Sequence, residues 1–124
     1  MSEGMNLASV VFDWTKLEVR PTKAGFSRPI TKSKTGTLDQ LSIHASTLNP
    51  GQAAHAPHRH PEEELIILRE GKLEALVNET RTPMTPGSVL FLAPNDLHGV
   101  TNVGDTPATY FVIKWFPPGM NSAK

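Results

Sequence analysis

A short segment with two histidines and a run of glutamates reads His58-Arg59-His60-Pro61-Glu62-Glu63-Glu64. In an extended chain, side chains two residues apart share a face, so His58 and His60 would point to one place. Glu64 heads the apolar run 65–68 and can bring a carboxylate to the same site from the start of the next strand. His98 is a fourth candidate ligand. Two imidazoles and a carboxylate suit one divalent transition ion (Fe, Mn, Ni, Co or Zn), and they have the composition of the facial triad that leaves positions open on iron.

The composition limits both the size of the fold and the kind of metal site. The chain has 124 residues, of which 38% are hydrophobic and 19% charged, so one domain with a modest core is expected. The formal net charge is zero, and no overall field would attract nucleic acid or an anionic membrane. Cysteine is absent, which excludes disulfides and thiolate ligands and leaves a site of nitrogen and oxygen donors.

The N-terminal residues show no signal for export or membrane insertion. The segment 1–12 has no basic region and reaches Asp13 before a long apolar run forms, so neither a signal peptide nor a membrane span is predicted. We therefore expect a cytoplasmic protein.

Alternation and turn residues predict strands through most of the chain and no helix. Residues 1–36 are expected to be irregular and basic, with strands at Val10–Trp14 and around Leu17–Val19 and a loop at 31–37. This basic arm is either solvated or helps to bind an acidic substrate or partner. Further strands are predicted at 41–46, around His58 and His60, and at 64–69, 73–77, 88–93, 98–102 and 109–116. Short strands separated by frequent turns indicate an all-β sandwich or barrel.

Two sequence motifs resemble those of the cupin superfamily. The first, G-x5-H-x-H-x3/4-E-x6-G, is matched by Gly51, His58, His60, Glu64 and Gly71, with six residues rather than five between Gly51 and His58. The second, G-x5-P-x-G-x2-H-x3-N, is matched by Gly87, Pro94, Asn95, His98 and Asn102. In this second motif the proline is one place late and Asn95 replaces a glycine. Asparagine tolerates left-handed backbone geometry, so the turn is expected to survive.

The resemblance implies a fold, a ligand set and an assembly. The fold would be a double-stranded β-helix, which is a jelly-roll barrel with a metal ion in its mouth. The implied ligands are His58, His60, Glu64 and His98. Cupins are commonly homodimers, often with N-terminal strands packed on the partner. The expected organisation is an arm at 1–36, which joins the same domain and a dimer contact, a cupin barrel at 37–118 and a tail at 119–124.

The residues around the proposed ligands suggest a partly apolar pocket. If Glu64 faces the metal, Ile66 and Leu68 share its face, and His98, Val100 and Asn102 point together by the same alternation. Phe91 or Phe111 would add to the lining, and Tyr110 is the one tyrosine available as an acid or base.

Four other polar residues near the motifs are not assigned to the site. A lone histidine is more often structural or exposed than a ligand, which is the expectation for His44 and His55. Glu62 and Glu63 are expected to be solvated residues that lead into the strand.

These features predict a metal-dependent enzyme that acts on a small organic molecule, with dioxygenase chemistry as the first hypothesis. Two alternatives remain open. One is non-redox catalysis by an isomerase, lyase or decarboxylase, in which the cation acts as a Lewis acid. The other is a module that binds or senses a small ligand without turnover, since one scaffold hosts many chemistries.

Overall fold

The computed structural model describes residues 5–120, and these form nine strands and one short 3-10 helix. The start of the predicted arm and most of the predicted tail at 119–124 therefore lie outside the described residues. The helix spans Trp14–Lys16. The strands are Arg20–Pro21 (β1), Gly25–Ser33 (β2), Gln40–Leu48 (β3), Glu63–Glu70 (β4), Leu73–Val77 (β5), Thr80–Met84 (β6), Val89–Leu92 (β7), His98–Asn102 (β8) and Ala108–Phe116 (β9).

The strands form two antiparallel sheets. One has six strands in the order β1-β2-β3-β9-β4-β7, and the other has three in the order β6-β5-β8. The apolar core contains residues from both sheets, including Leu48, Leu68 and Tyr110 from the larger sheet and Leu73 and Val100 from the smaller one. The all-β prediction and the jelly-roll arrangement are therefore confirmed.

Strand alternation determines which side chains reach the interior. In β4, Glu64, Ile66 and Leu68 are buried while the residues between them are only half-buried. In β8, His98, Val100 and Asn102 are buried in the same way. Both predicted faces are confirmed, so the start of β4 and the start of β8 each direct one polar side chain into the interior.

The N-terminal segment differs from the prediction. No strand forms at Val10–Trp14, because Asp13 Oδ1 accepts a hydrogen bond from Thr15 N at 2.9 Å and caps the short helix Trp14–Lys16. Trp14 packs edge-on against Phe111, with the ring centroids 5.6 Å apart, on the outer face of the larger sheet. The predicted strand around Leu17–Val19 is also absent, and β1 begins at Arg20.

Part of the segment predicted to be irregular forms a long strand. β2 pairs with β3 over nearly its whole length and has a bulge between Pro29 and Thr31. The loop predicted at 31–37 therefore begins only after Ser33. Among the described residues, no helix is long and apolar enough to span a membrane.

Candidate metal centre

The segment that carries His58 and His60 is held against β8 but is not a regular strand. Gly51 N donates to Asn102 O and Asn102 N donates to Gln52 O, both at 2.9 Å. His58 and His98 then exchange backbone hydrogen bonds of 3.0 and 2.9 Å as an isolated bridge. The predicted strand does not form because residues 54–56 are bends between two isolated bridges to β8 and because prolines, which lack an N–H, lie at 57 and 61.

These backbone contacts bring three imidazoles together. The potential ligand atoms of His58, His60 and His98 all lie within 4.8 Å of one another, and the three side chains could hold a metal ion. Their ring centroids are 4.7 to 5.2 Å apart, and the ring planes cross at 74 to 78°. We call His58, His60 and His98 the histidine cluster.

Hydrogen bonds to backbone carbonyls orient two of these rings. His60 Nδ1 lies 2.9 Å from Glu62 O, and His98 Nδ1 lies 3.0 Å from Asp96 O. A carbonyl oxygen can only accept, so each Nδ1 carries the proton and donates it. In a neutral ring the lone pair is then on Nε2, which is the pattern by which outer partners orient histidine ligands of metals.

Glu64 completes a set of acceptors that point at one another. Glu64 Oε1 lies 2.8 Å from His60 Nε2 and 3.6 Å from His98 Nε2. A neutral imidazole that donates from Nδ1 has no proton at Nε2, so the short contact joins two lone pairs unless a proton or a cation lies between them. Among the buried side-chain nitrogens and oxygens of residues 5–120, His98 Nε2 is the one without a hydrogen-bond partner. These nitrogen and oxygen ligand atoms fit a divalent transition ion, because imidazole and carboxylate are ligands that such ions accept.

Glu62 is not solvated, contrary to the sequence-based expectation. It is buried, and its Oε1 lies 3.4 Å from His60 Nδ1. The chain bends at 61–62, and the Glu62 carboxylate lies on the Nδ1 side of the His60 ring. Glu63 is half-buried and accepts a hydrogen bond of 3.2 Å from Trp115 Nε1.

His58 is the most exposed ring of the histidine cluster and has a strongly shifted pKa. It stacks on His55 with the ring centroids 4.0 Å apart. Partial burial among these rings is the largest cause that lowers the pKa of His58 to about 4, and the neighbouring imidazoles and Lys114 add to the effect. The ring is therefore neutral at pH 7, which is the form that binds a metal.

A cavity of about 230 Å³ adjoins the histidine cluster, and we call it the inner cavity. Its apolar wall is formed by Ile66, Val100 and Val112. Alternation predicts the first two of these residues but not Val112. Phe91 and Phe111 do not line it. Both lie on the outer face of the larger sheet, where Phe91 is exposed and Phe111 contacts Trp14.

The polar wall of the inner cavity contains Tyr110, the candidate acid or base, and four residues that the sequence does not assign to the site. These four are His44, Ser46, His55 and Lys114. Burial lowers the pKa of His44, with Lys114 as the second cause. Burial also raises the pKa of Tyr110 to about 12, against a hydrogen bond with Ser46 that lowers it. Tyr110 therefore offers a protonated hydroxyl to the cavity at neutral pH.

Comparison with known proteins identifies the family to which this fold and cluster belong. The family model described as "Cupin domain" matches residues 45–114, which include the histidine cluster, Glu64 and most of the larger sheet. The chain belongs to the cupin family. This cupin has no match among curated proteins.

Several solved structures share the fold. An RmlC-like cupin from Shewanella frigidimarina has a TM-score of 0.72 at 15% identity, over 93% of this chain and 97% of the other. A sugar phosphate isomerase of the cupin superfamily from Silicibacter pomeroyi has a TM-score of 0.70 at 22% identity, over 88% and 77% of the two chains. A predicted oxalate decarboxylase from Thermotoga maritima has a TM-score of 0.68 at 17% identity, over 86% and 99%. At these identities the similarity concerns the fold alone.

Proposed function

We propose that this cupin is a metal-dependent enzyme that binds one divalent first-row transition ion through His58, His60, His98 and Glu64 and acts on a small organic molecule. The observation that carries the proposal is the convergence of three imidazoles and a carboxylate beside the inner cavity. A bound ion would supply a Lewis acid and, if it is iron, access to dioxygen.

The chain's own residues determine what the inner cavity accepts. The backbone carbonyls of Glu62 and Asp96 fix two ligand rings by holding the Nδ1 protons. Ile66, Val100 and Val112 exclude water from one wall and favour a short carbon skeleton. With a volume of about 230 Å³, the cavity suits a molecule of a few carbon atoms.

The first reaction class is dioxygenation, in which both atoms of O2 enter the substrate and no external reductant is consumed. The ligand set supports it because two or more imidazoles and a carboxylate are typical of oxygen-using iron sites. The second class is non-redox catalysis by an isomerase, lyase or decarboxylase. It is favoured by Tyr110, whose buried hydroxyl stays protonated and can donate a hydrogen bond to a substrate oxygen inside the cavity. A sensing role without turnover would use the same cavity.

The test begins with elemental analysis of the purified protein and continues with oxygen uptake by the Fe(II)-loaded form against phenols, diketones and thiol acids. Uptake that requires both iron and one substrate, and that His98→Ala abolishes, would support the dioxygenase. Consumption of a substrate without oxygen uptake, lost in the same variant, would support the non-redox class. A protein with no transition metal after purification and none after incubation with Fe(II), Mn(II) or Zn(II) would refute the proposal.

A further inference from the structure

Lys114 lies among the residues of the metal centre without a counter-ion. In the strand ladders it is directly opposite Ser42 of β3 and Glu64 of β4, so its side chain starts on the inner face of the sheet. It is half-buried, and among residues 5–120 its amine has no ion-pair or hydrogen-bond partner. Glu64, although it is opposite Lys114 in the ladder, makes no ion pair with it, and its Oε1 lies 2.8 Å from His60 Nε2.

Lys114 also lies where two cavities meet. A second cavity, of about 690 Å³, runs along β2 and β3, and we call it the outer groove. Lys114 and His44 are the two side chains that line both the inner cavity and the outer groove. The other charged residues of the groove are Arg20, Lys32 and Glu62. The route from the groove to the histidine cluster therefore passes a lysine and carries more positive than negative side chains.

The charge of Lys114 acts on both sides of this junction. It contributes, after burial, to the lowered pKa of His44, which lines both cavities. With neutral imidazoles, a divalent ion and Lys114 carry three positive charges together, and Glu64 and Glu62 carry two negative charges. One positive charge remains in a partly buried site. Since uncompensated charge in such a site is unfavourable, the ligand expected there carries one negative charge.

We infer that Lys114 binds the carboxylate of a small organic acid at the open side of the histidine cluster, with the carbon chain of the acid against the apolar wall of the inner cavity. A carboxylate is favoured because it is a planar monoanion that can accept a charge-assisted hydrogen bond from an ammonium group. Ile66, Val100 and Val112 match a short carbon chain. The inference gives a substrate class to the proposed function, and it rests on that function for the presence of the metal ion.

The experiment compares two probes that differ in one charge. Pyruvate is a monoanion, and pyruvamide is its neutral analogue of nearly the same shape. Both are titrated into the Co(II)-loaded full chain, followed by calorimetry and by the visible absorption of Co(II). The variants are Lys114→Met, which keeps most of the aliphatic stem, Lys114→Arg, which keeps the charge, and Lys23→Met, which removes an exposed lysine away from both cavities. The metal content and melting temperature of every variant are measured alongside.

The wild-type chain should bind pyruvate more tightly than pyruvamide. Lys114→Met should weaken pyruvate binding roughly ten- to hundredfold, which is the range for loss of one hydrogen bond to a charged group, and leave pyruvamide binding unchanged. Lys114→Arg should restore most of the preference, and Lys23→Met should behave as wild type. The inference is wrong if the wild type shows no preference for pyruvate, including the case in which neither probe binds, or if Lys114→Met keeps the same preference.

Failure of the metal proposal can be separated from failure of this inference. If the chain takes up no Co(II) and also no Fe(II), Mn(II) or Zn(II), the proposed function is refuted, and the same two probes are titrated into the metal-free protein with NMR detection. Shifts of the inner-cavity resonances that occur with pyruvate, and disappear in Lys114→Met, would still support the carboxylate site. Equal shifts in both proteins, or none in the wild type, would overturn it.

Discussion

Replacing His98 by alanine should remove most of the stability that a bound metal ion gives to this protein. The side chain is 3% exposed, its Nδ1–H is bonded to Asp96 O, and its Nε2 has no partner in the described part of the chain. An ion that binds only the folded state stabilises it by about 2.7 kcal/mol at a free concentration of 100 times Kd. In a domain of this size that corresponds to a rise in Tm of about 10 °C.

The loss of one ligand can be estimated from the same relation. Mutating an outer partner of a metal ligand typically weakens binding about 10- to 100-fold, so losing a ligand itself should cost at least about 100-fold. The free ion is then near its new Kd, and it stabilises the variant by only about 0.4 kcal/mol. The rise in Tm should fall from about 10 °C to about 2 °C.

The measurement must separate this effect from the cost of the substitution itself. In the metal-free protein, His98→Ala leaves a cavity and an unpaired Asp96 carbonyl, yet it also removes a buried nitrogen without a partner. The cavity and the unpaired carbonyl lower the stability of the metal-free protein, whereas removal of the unpaired nitrogen raises it. The quantity to compare is therefore the Tm with metal minus the Tm with chelator, measured within each variant by circular dichroism, because the effects on folding cancel in that difference.

His55→Ala is the matched control. Its ring stacks on His58 but lies outside the three-histidine set, so this variant should keep most of the metal-dependent rise in Tm. Glu62→Ala is unsuitable as a control, because Glu62 is buried beside His60. The reasoning is refuted if His98→Ala keeps the wild-type difference, or if His55→Ala loses it while His58→Ala does not.

Three further predictions concern pH, backbone geometry and assembly. The pKa of His58 is about 4 in the folded protein against 6.5 for an ordinary histidine, so between these values the unfolded chain binds more protons and the stability decreases as the pH is lowered. Urea unfolding in chelator should therefore show a lower stability at pH 5 than at pH 7.5. The loss should be smaller in His58→Ala, and an equal loss in both proteins would contradict the prediction. Gly71 has a φ of +92°, and an added Cβ would lie 2.6 Å from Ala108 Cα, so Gly71→Ala should cost about 3 kcal/mol in urea unfolding, and a cost under about 1 kcal/mol would disprove the clash. Val89 and Phe91 are 60% and 52% exposed on an edge strand, and we expect them to contact a second copy of the chain; sedimentation at micromolar concentration should give about twice 13.5 kDa, with Phe91→Glu shifting it to monomer, whereas a monomeric wild type would refute the homodimer.

The sequence predicts the parts of this protein that depend on local pattern. The strands at 73–77 and 98–102 form with the predicted bounds, because alternation and turn residues define them. Asn95 adopts the left-handed conformation expected at the glycine position of the motif, with a φ of 65°. β2 was missed because Pro29 and a bulge interrupt it and its burial pattern does not alternate. The strand predicted at Val10–Trp14 does not form, because the Asp13 cap and the packing of Trp14 are more favourable there than strand pairing.

The lining of the inner cavity depends on contacts that local pattern does not contain. In β3, Ala45 alternates with His44 and Ser46, and alternation alone would place the apolar side towards the core. In the structure His44 and Ser46 line the inner cavity, whereas Ala45 is on the opposite face, paired with Phe111. On that outer face Phe111 is covered by Trp14, which lies about 30 positions before Ala45 in the sequence. Alternation identifies which residues share a face, but the distant covering segment determines which face can be polar and line the metal centre. The general expectation for a lone histidine, which leaves His44 outside the predicted site, does not contain that information.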